Sequence, residues 1–143
     1  MVDKNKILYL GNAFTKSAST EEDDDEVIVI EGYASTKDID RHGDVVPTSV
    51  WEKGIKNFLK NHIILAYHDH SKPEGKMNEH TIDDNGFKIK ARISKAAGDV
   101  YELIKDGVLS AFSIGFRIVD AEYNSAAEVF LIKELELHEV SVV

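Results

Sequence analysis

The dipeptide Asn85-Gly86 constrains this chain more tightly than any other local feature. Asn-Gly accepts positive φ at both central positions, as a two-residue turn between antiparallel strands demands. It closes the stretch Asp83-Asp84-Asn85-Gly86, which sits between two strand-like runs, 77–82 and 87–93. Those runs are expected to pair as a hairpin. The Val/Ile-rich segment 27–34, the short run 63–67, the alternating segment 110–119 and the runs 129–132 and 135–143 read as further strands. Ile7-Leu8-Tyr9-Leu10 reads as a short strand followed by a polar loop to Thr20. Residues 35–46 are expected to form a charged loop, and 70–75 a turn-rich one.

Two segments carry the helical period instead. Pro47 opens the first, where its missing N–H costs nothing, and Trp51, Ile55, Phe58 and Leu59 make one apolar stripe. The second spans 96–106, with Val100, Leu103 and Ile104 inward and Gly107 as its stop. Many strands with two helices predict an α+β fold: a bent antiparallel β-barrel flanked by helices.

The 143 residues suit one domain with one core. Residues 27–143 are expected to hold that domain, behind a mobile segment over 1–26. The latter ends in the acidic block Glu21-Glu22-Asp23-Asp24-Asp25-Glu26, most simply a solvated stretch and otherwise an interaction tail or self-cleavage region. The net charge of −9 argues against a nucleic-acid partner, because phosphate contacts need lysine and arginine. No run approaches the roughly eighteen apolar residues of a membrane span. With no cysteine, thiolate catalysis, disulfides and cysteine metal sites are excluded. The sequence stops within the apolar run Ser141-Val142-Val143, so a truncated or processed C-terminus is expected.

Strand alternation sorts the serines. Over 110–118, Phe112, Ile114, Phe116 and Ile118 share a core face, and Ala111, Ser113, Gly115 and Arg117 share the other. Ser113 stands between Ala and Gly, which leaves room for another chain to approach. The residues alone also fit an ordinary strand serine. Ser110 falls on the Phe112 side or in the preceding turn, so Ser113 is the better nucleophile.

A base for a serine needs to titrate near neutrality, and histidine does. Of six histidines, His68 ends an apolar run, where it is held yet reaches a cleft. His62 fits a helix cap, while His42 and His80 lie in charged stretches. His68-Asp69-His70 also has the spacing of a zinc pair, with His62, His42 or Asp44 as a third ligand. Asp38, Asp40 and Asp44 match a calcium loop only loosely and lack its terminal glutamate. Strict alternation in the last strand aligns Leu135, Leu137, Glu139 and Ser141 on one face, with Glu134, Glu136, His138 and Val140 on the other. A carboxylate in line with leucines is costly without a partner. That makes Glu139 the first choice to orient an imidazole, ahead of His138, although a solvated edge glutamate fits the same pattern.

The ordered set of motifs resembles the prohead proteases of HK97-like tailed bacteriophages. It comprises Glu31-Gly32-Tyr33-Ala34-Ser35, Asp40-Arg41-His42-Gly43-Asp44-Val45-Val46, Leu65-Ala66-Tyr67-His68-Asp69 with Pro73-Glu74-Gly75, residues 100–107 leading into 109–116, and the closing run 137–143. The resemblance implies a fold similar to the herpesvirus assemblin proteases. It also implies a serine endopeptidase that cleaves scaffold protein, major capsid protein precursor and itself inside the prohead, in the host cytoplasm. His68, Ser113 and Glu139 fall on the family's histidine, serine and glutamate. No cofactor or metal is implied, and the oligomeric state is left open. Tyr67 departs from a more usual aromatic-x-His arrangement. Two other readings are a non-catalytic capsid-assembly module with a protease fold, and a metal hydrolase using His68 and His70.

Overall fold

A computed structural model describes residues 7–17, 27–38 and 43–143. Eight strands form one sheet: β1 (Ile7–Ser17), β2 (Ile28–Thr36), β3 (Asp44–Val45), β4 (Ile63–Ala66), β5 (Asp69–Asp83), β6 (Gly86–Ile93), β7 (Ala111–Asn124) and β8 (Val129–Val142). Seven of them run in the order β8-β4-β5-β6-β2-β1-β7, and a β7–β8 pairing closes the ring into a barrel. Closure leaves no long open edge, which antiparallel architectures otherwise have to protect. The short β3 adds to β8 beside Phe130 and Leu131. The pairings are antiparallel except β3–β8 and β4–β8, which are parallel.

The expected hairpin between the two runs forms, but its two turn residues are Asp84 and Asn85. Asp83 pairs with Gly86, and of Asn85 and Gly86 only the glycine has positive φ. The Asp83 carboxylate accepts the N–H groups of Asn85 (2.8 Å) and Gly86 (3.1 Å), and the Tyr33 hydroxyl (2.6 Å). Gly86 has φ 149°, and a Cβ there would lie 2.1 Å from the Ser35 carbonyl oxygen, so the close crossing of β6 and β2 requires glycine.

Several boundaries moved. β1 continues to Ser17, past the expected loop, and pairs with both β2 and β7. Residues 7–17 therefore belong to the barrel rather than to a mobile segment, while the acidic block 21–26 lies outside the described residues. The expected loop 70–75 is the first part of β5, paired to β4 through two register irregularities. Those irregularities accommodate Pro73, which cannot donate to a ladder, and the exposed polar side chains hid the strand from an apolar-pattern reading. The runs 129–132 and 135–143 are one strand, with Lys133 and Glu134 on its exposed side paired to Glu122 (3.4 Å) and Lys53.

The expected helix after Pro47 is broken. It runs as a 3-10 turn (Thr48–Val50), one α turn α1 (Trp51–Gly54) and a second 3-10 turn (Phe58–Lys60). Gly54 has low helix propensity, and a Cβ there would press to 2.7 Å on Leu135. Trp51, Ile55 and Phe58 still face the core, while Leu59 is partly exposed. The second helix is likewise split. Gly98 (φ 60°) separates a 3-10 turn (Lys95–Ala97) from α2 (Asp99–Lys105).

Gly107 (φ 79°) ends α2 in a Schellman arrangement. Its N–H bonds the Ile104 carbonyl (3.0 Å), and the N–H of Val108 bonds that of Leu103 (2.8 Å). This stop turns the chain directly into β7, which carries Ser113. The core cluster fills the barrel with Ile30, Ile64, Phe87, Ile89, Ile93, Phe112, Ile114, Phe116, Leu137, Val140 and Val142.

Candidate active site

The site is built on three adjoining strands. In the β7–β8 ladder, Ser113 stands opposite Ser141 and Gly115 opposite Glu139. The next pair, Phe116 with Leu137, skips His138. His138 is thus the extra residue of a β-bulge, and a bulge reverses the facing of everything beyond it. Leu135 and Leu137 face the core before it. After it, Val140 and Val142 take the core positions, and Glu139 and Ser141 join Ser113 and Gly115 on the opposite face. The expected alignment of Glu139 with the leucines is therefore corrected. Glu139 reaches the serine's face because of an irregularity that strict alternation does not contain. His138 is exposed, lies 3.2 Å from Glu136, and is not at the site.

His68 comes from β4's far end. Ala66 pairs with Asp69, so Tyr67 and His68 are the two central residues of a hairpin turn rather than the end of a strand. Both have positive φ, 56° and 60°. That conformation is the one Asn-Gly would favour. For bulkier residues it costs roughly 1–2 kcal/mol each. Strain of this kind collects where a side chain has to be aimed. β4 lies parallel to β8, with Leu65 beside Ser141 and Ala66 beside Val142, so the turn projects His68 across the β7–β8 face.

The three predicted residues meet there. His68 Nε2 lies 2.8 Å from Ser113 Oγ, and His68 Nδ1 bonds Glu139 Oε1. A carboxylate only accepts hydrogen bonds, so Nδ1 carries the proton it donates to Glu139. The Nε2 lone pair is then left to accept the Ser113 hydroxyl. Glu139 is 5% exposed and Ser113 6% exposed, so both work largely out of water. The space beside Gly115 is not open for another chain, as its small size suggests. Glu139 occupies it: a Cβ on Gly115 would fall 2.5 Å from Glu139 Oε1.

Neighbouring polar residues are used elsewhere. Asp69 adjoins His68 in sequence, but its carboxylate accepts the hydroxyl (2.6 Å) and N–H (2.9 Å) of Ser71. These bonds hold it below the usual carboxylate range. His70 and Ser110 are exposed and belong to no part of the triad-like cluster. Both ring nitrogens of His68 are taken. Among the described residues no three His, Asp or Glu side chains are grouped as metal ligands. His42 and Asp40, named for the zinc and calcium readings, lie outside the described residues. Among those described, no helix is long and apolar enough to cross a membrane.

Residues 15–143 match the family profile described as Caudovirus prohead serine protease. The chain belongs to that family. It is 44% identical over 149 residues to the prohead protease of Escherichia phage T5, an alignment covering 99% of this chain and 70% of that relative. Its fold is similar to the capsid assembly protease gp21 of bacteriophage T4, with a TM-score of 0.75 over 96% of this chain and 97% of that one. At 12% identity, that likeness speaks for the fold alone. Family membership makes the chain a protease of prohead maturation, which sets aside the non-catalytic assembly module.

Sequence reasoning missed one polar residue of the cluster, Ser141. Its signal was its place two positions from Glu139, on the same side of β8.

Proposed function

We propose that Ser113, His68 and Glu139 are the catalytic triad of a serine endopeptidase that cuts scaffold protein and major capsid protein precursor, and itself, inside the prohead within the bacterial host. The observation that carries this reading is the single imidazole bridging a buried hydroxyl and a buried carboxylate, one on each nitrogen. Any arrangement of this kind can activate a serine, whatever the order of the residues in the chain.

In the first step Ser113 Oγ attacks the scissile carbonyl carbon, and its proton passes to His68 Nε2. Glu139 balances the resulting imidazolium through Nδ1–H. When the tetrahedral intermediate collapses, the C–N bond breaks and Nε2–H protonates the leaving amine, leaving an acyl ester on Ser113. Water then attacks the ester, giving one proton to Nε2, and Ser113 takes that proton back as the acid product departs. All the proton transfers run through one nitrogen 2.8 Å from the nucleophile, within the range a general base requires.

The test is incubation of the purified chain with precursor capsid and scaffold proteins, with cleavage sites read by mass spectrometry. Ser113→Ala should lower the rate by about 10⁴-fold or more, and Ser110→Ala by less than tenfold. Equal loss from the two variants refutes the assignment of Ser113. Cleavage should persist in EDTA, and loss of cleavage on chelation refutes the metal-free mechanism.

A further inference from the structure

Ser141 has no place in the proton path, yet it is completely buried at the site, 0% exposed. Its hydroxyl makes two bonds of opposite sense. It donates to Glu139 Oε2 (2.6 Å) and accepts the main-chain N–H of His68 (3.0 Å). One oxygen atom thus ties the carboxylate to the backbone that presents the imidazole.

Each bond answers a specific mechanical need. A carboxylate rotates readily about its terminal torsion, which has broad and shallow wells. Holding Oε2 aims Oε1 at His68 Nδ1. The other need is the strained turn. Tyr67 and His68 both sit at positive φ, a conformation that persists only when the surroundings hold it. The N–H of Tyr67 is anchored on the Val142 carbonyl (3.1 Å), and the N–H of His68 on Ser141 Oγ. Both anchors come from the end of β8, so the strand that carries the acid also sets the base.

We infer that Ser141 is a positioning residue that locks the rotation of Glu139 and the His68 turn into one register with Ser113. The inference rests on the triad proposed above. A serine that merely satisfied a buried strand would contribute to stability and leave the reaction rate alone.

The experiment uses a fluorophosphonate probe, which reacts covalently with an activated serine, on the full chain. It measures the first-order labelling constant and the probe's saturation constant separately. The low-field proton resonance of His68 Nδ1–H is recorded alongside. Ser141→Ala should slow labelling by about 10- to 100-fold, the range expected for a lost bond to a charged group, with the saturation constant unchanged. Its low-field resonance should shift or broaden. Ser141→Thr keeps the hydroxyl and should restore both readouts. If the added methyl group prevents folding, Ser141→Cys, a weaker donor of similar size, should give an intermediate rate.

Labelling of Ser141→Ala at the unaltered rate overturns the inference. So does slowed labelling that the hydroxyl-bearing variant fails to rescue. Absence of labelling in the unsubstituted protein sinks the triad reading instead. The resonance then decides on Ser141: unmoved in Ser141→Ala it refutes the positioning role, and displaced in Ser141→Ala but retained in Ser141→Thr it supports it.

Discussion

Gly115→Ala tests the placement of Glu139 without removing any group of the proposed triad. The substitution adds one methyl group on the face opposite the core. Its carbon would lie 2.5 Å from Glu139 Oε1 and 3.2 Å from the Cγ and Cδ of the same side chain. A carbon and an oxygen rest at about 3.3–3.6 Å, so the carboxylate has to retreat by about 1 Å. It has little freedom to do so, because Glu139 is buried and its other oxygen is held by Ser141. A misplacement of about 1 Å in a catalytic constellation costs on the order of 100-fold in rate. Stability should respond much less. Alanine is favoured over glycine within a strand by roughly 0.5–1 kcal/mol, which offsets part of an overpacking cost of about 1–3 kcal/mol. The assay pairs cleavage of a capsid precursor with a thermal melt. The expected result is a cooperative melt displaced by a few degrees and a rate about two orders of magnitude lower. A Gly115→Ala protein that cleaves at the original rate would show that Glu139 does not need its place beside Gly115, and the geometric argument would fail.

Two further outcomes follow from the turns. Tyr67 is 45% exposed and sits at φ 56°, so Tyr67→Asn relieves strain while losing little packing. It should raise stability by about 1 kcal/mol in chemical denaturation; an unchanged or lower midpoint would contradict the strained-turn account. Asp83 is held below its ordinary range, chiefly by the Tyr33 hydroxyl and then by the Asn85 N–H. A depressed carboxylate contributes stability that is fully present above its unfolded value, about 3.9, and is lost as pH falls through the folded one. Asp83→Asn should therefore lower stability by a constant amount at neutral and alkaline pH, where the carboxylate contributes fully, and flatten part of the acid-side decline, as pH-dependent melts would register.

The sequence by itself determined the local geometry wherever one or two residues have few alternatives. The turn residues of 83–86 marked a hairpin between the flanking runs, and Gly86 supplied the one position there with positive φ, although pairing of Asp83 with Gly86 put Asp84 and Asn85 at the turn's centre. Gly107 specified the end of α2, and the alternation of Phe112, Ile114 and Phe116 put Ser113 on the opposite face. The three residues of the proposed triad were singled out through their types and the order of motifs around them, and the fold brings them together. What tertiary structure decided was everything that depends on pairing between distant strands. A bulge at His138 carried Glu139 away from the leucines and onto the face of Ser113, and nothing local marks that bulge. Parallel pairing of β4 with β8 brought the His68 turn over the same face and gave Ser141 the His68 N–H as a partner beside Glu139 of its own strand. Side-chain facing has a period of two, so one extra residue in a ladder reverses every later position. Where that residue falls is set by the fit of β7 against β8 around a closed barrel.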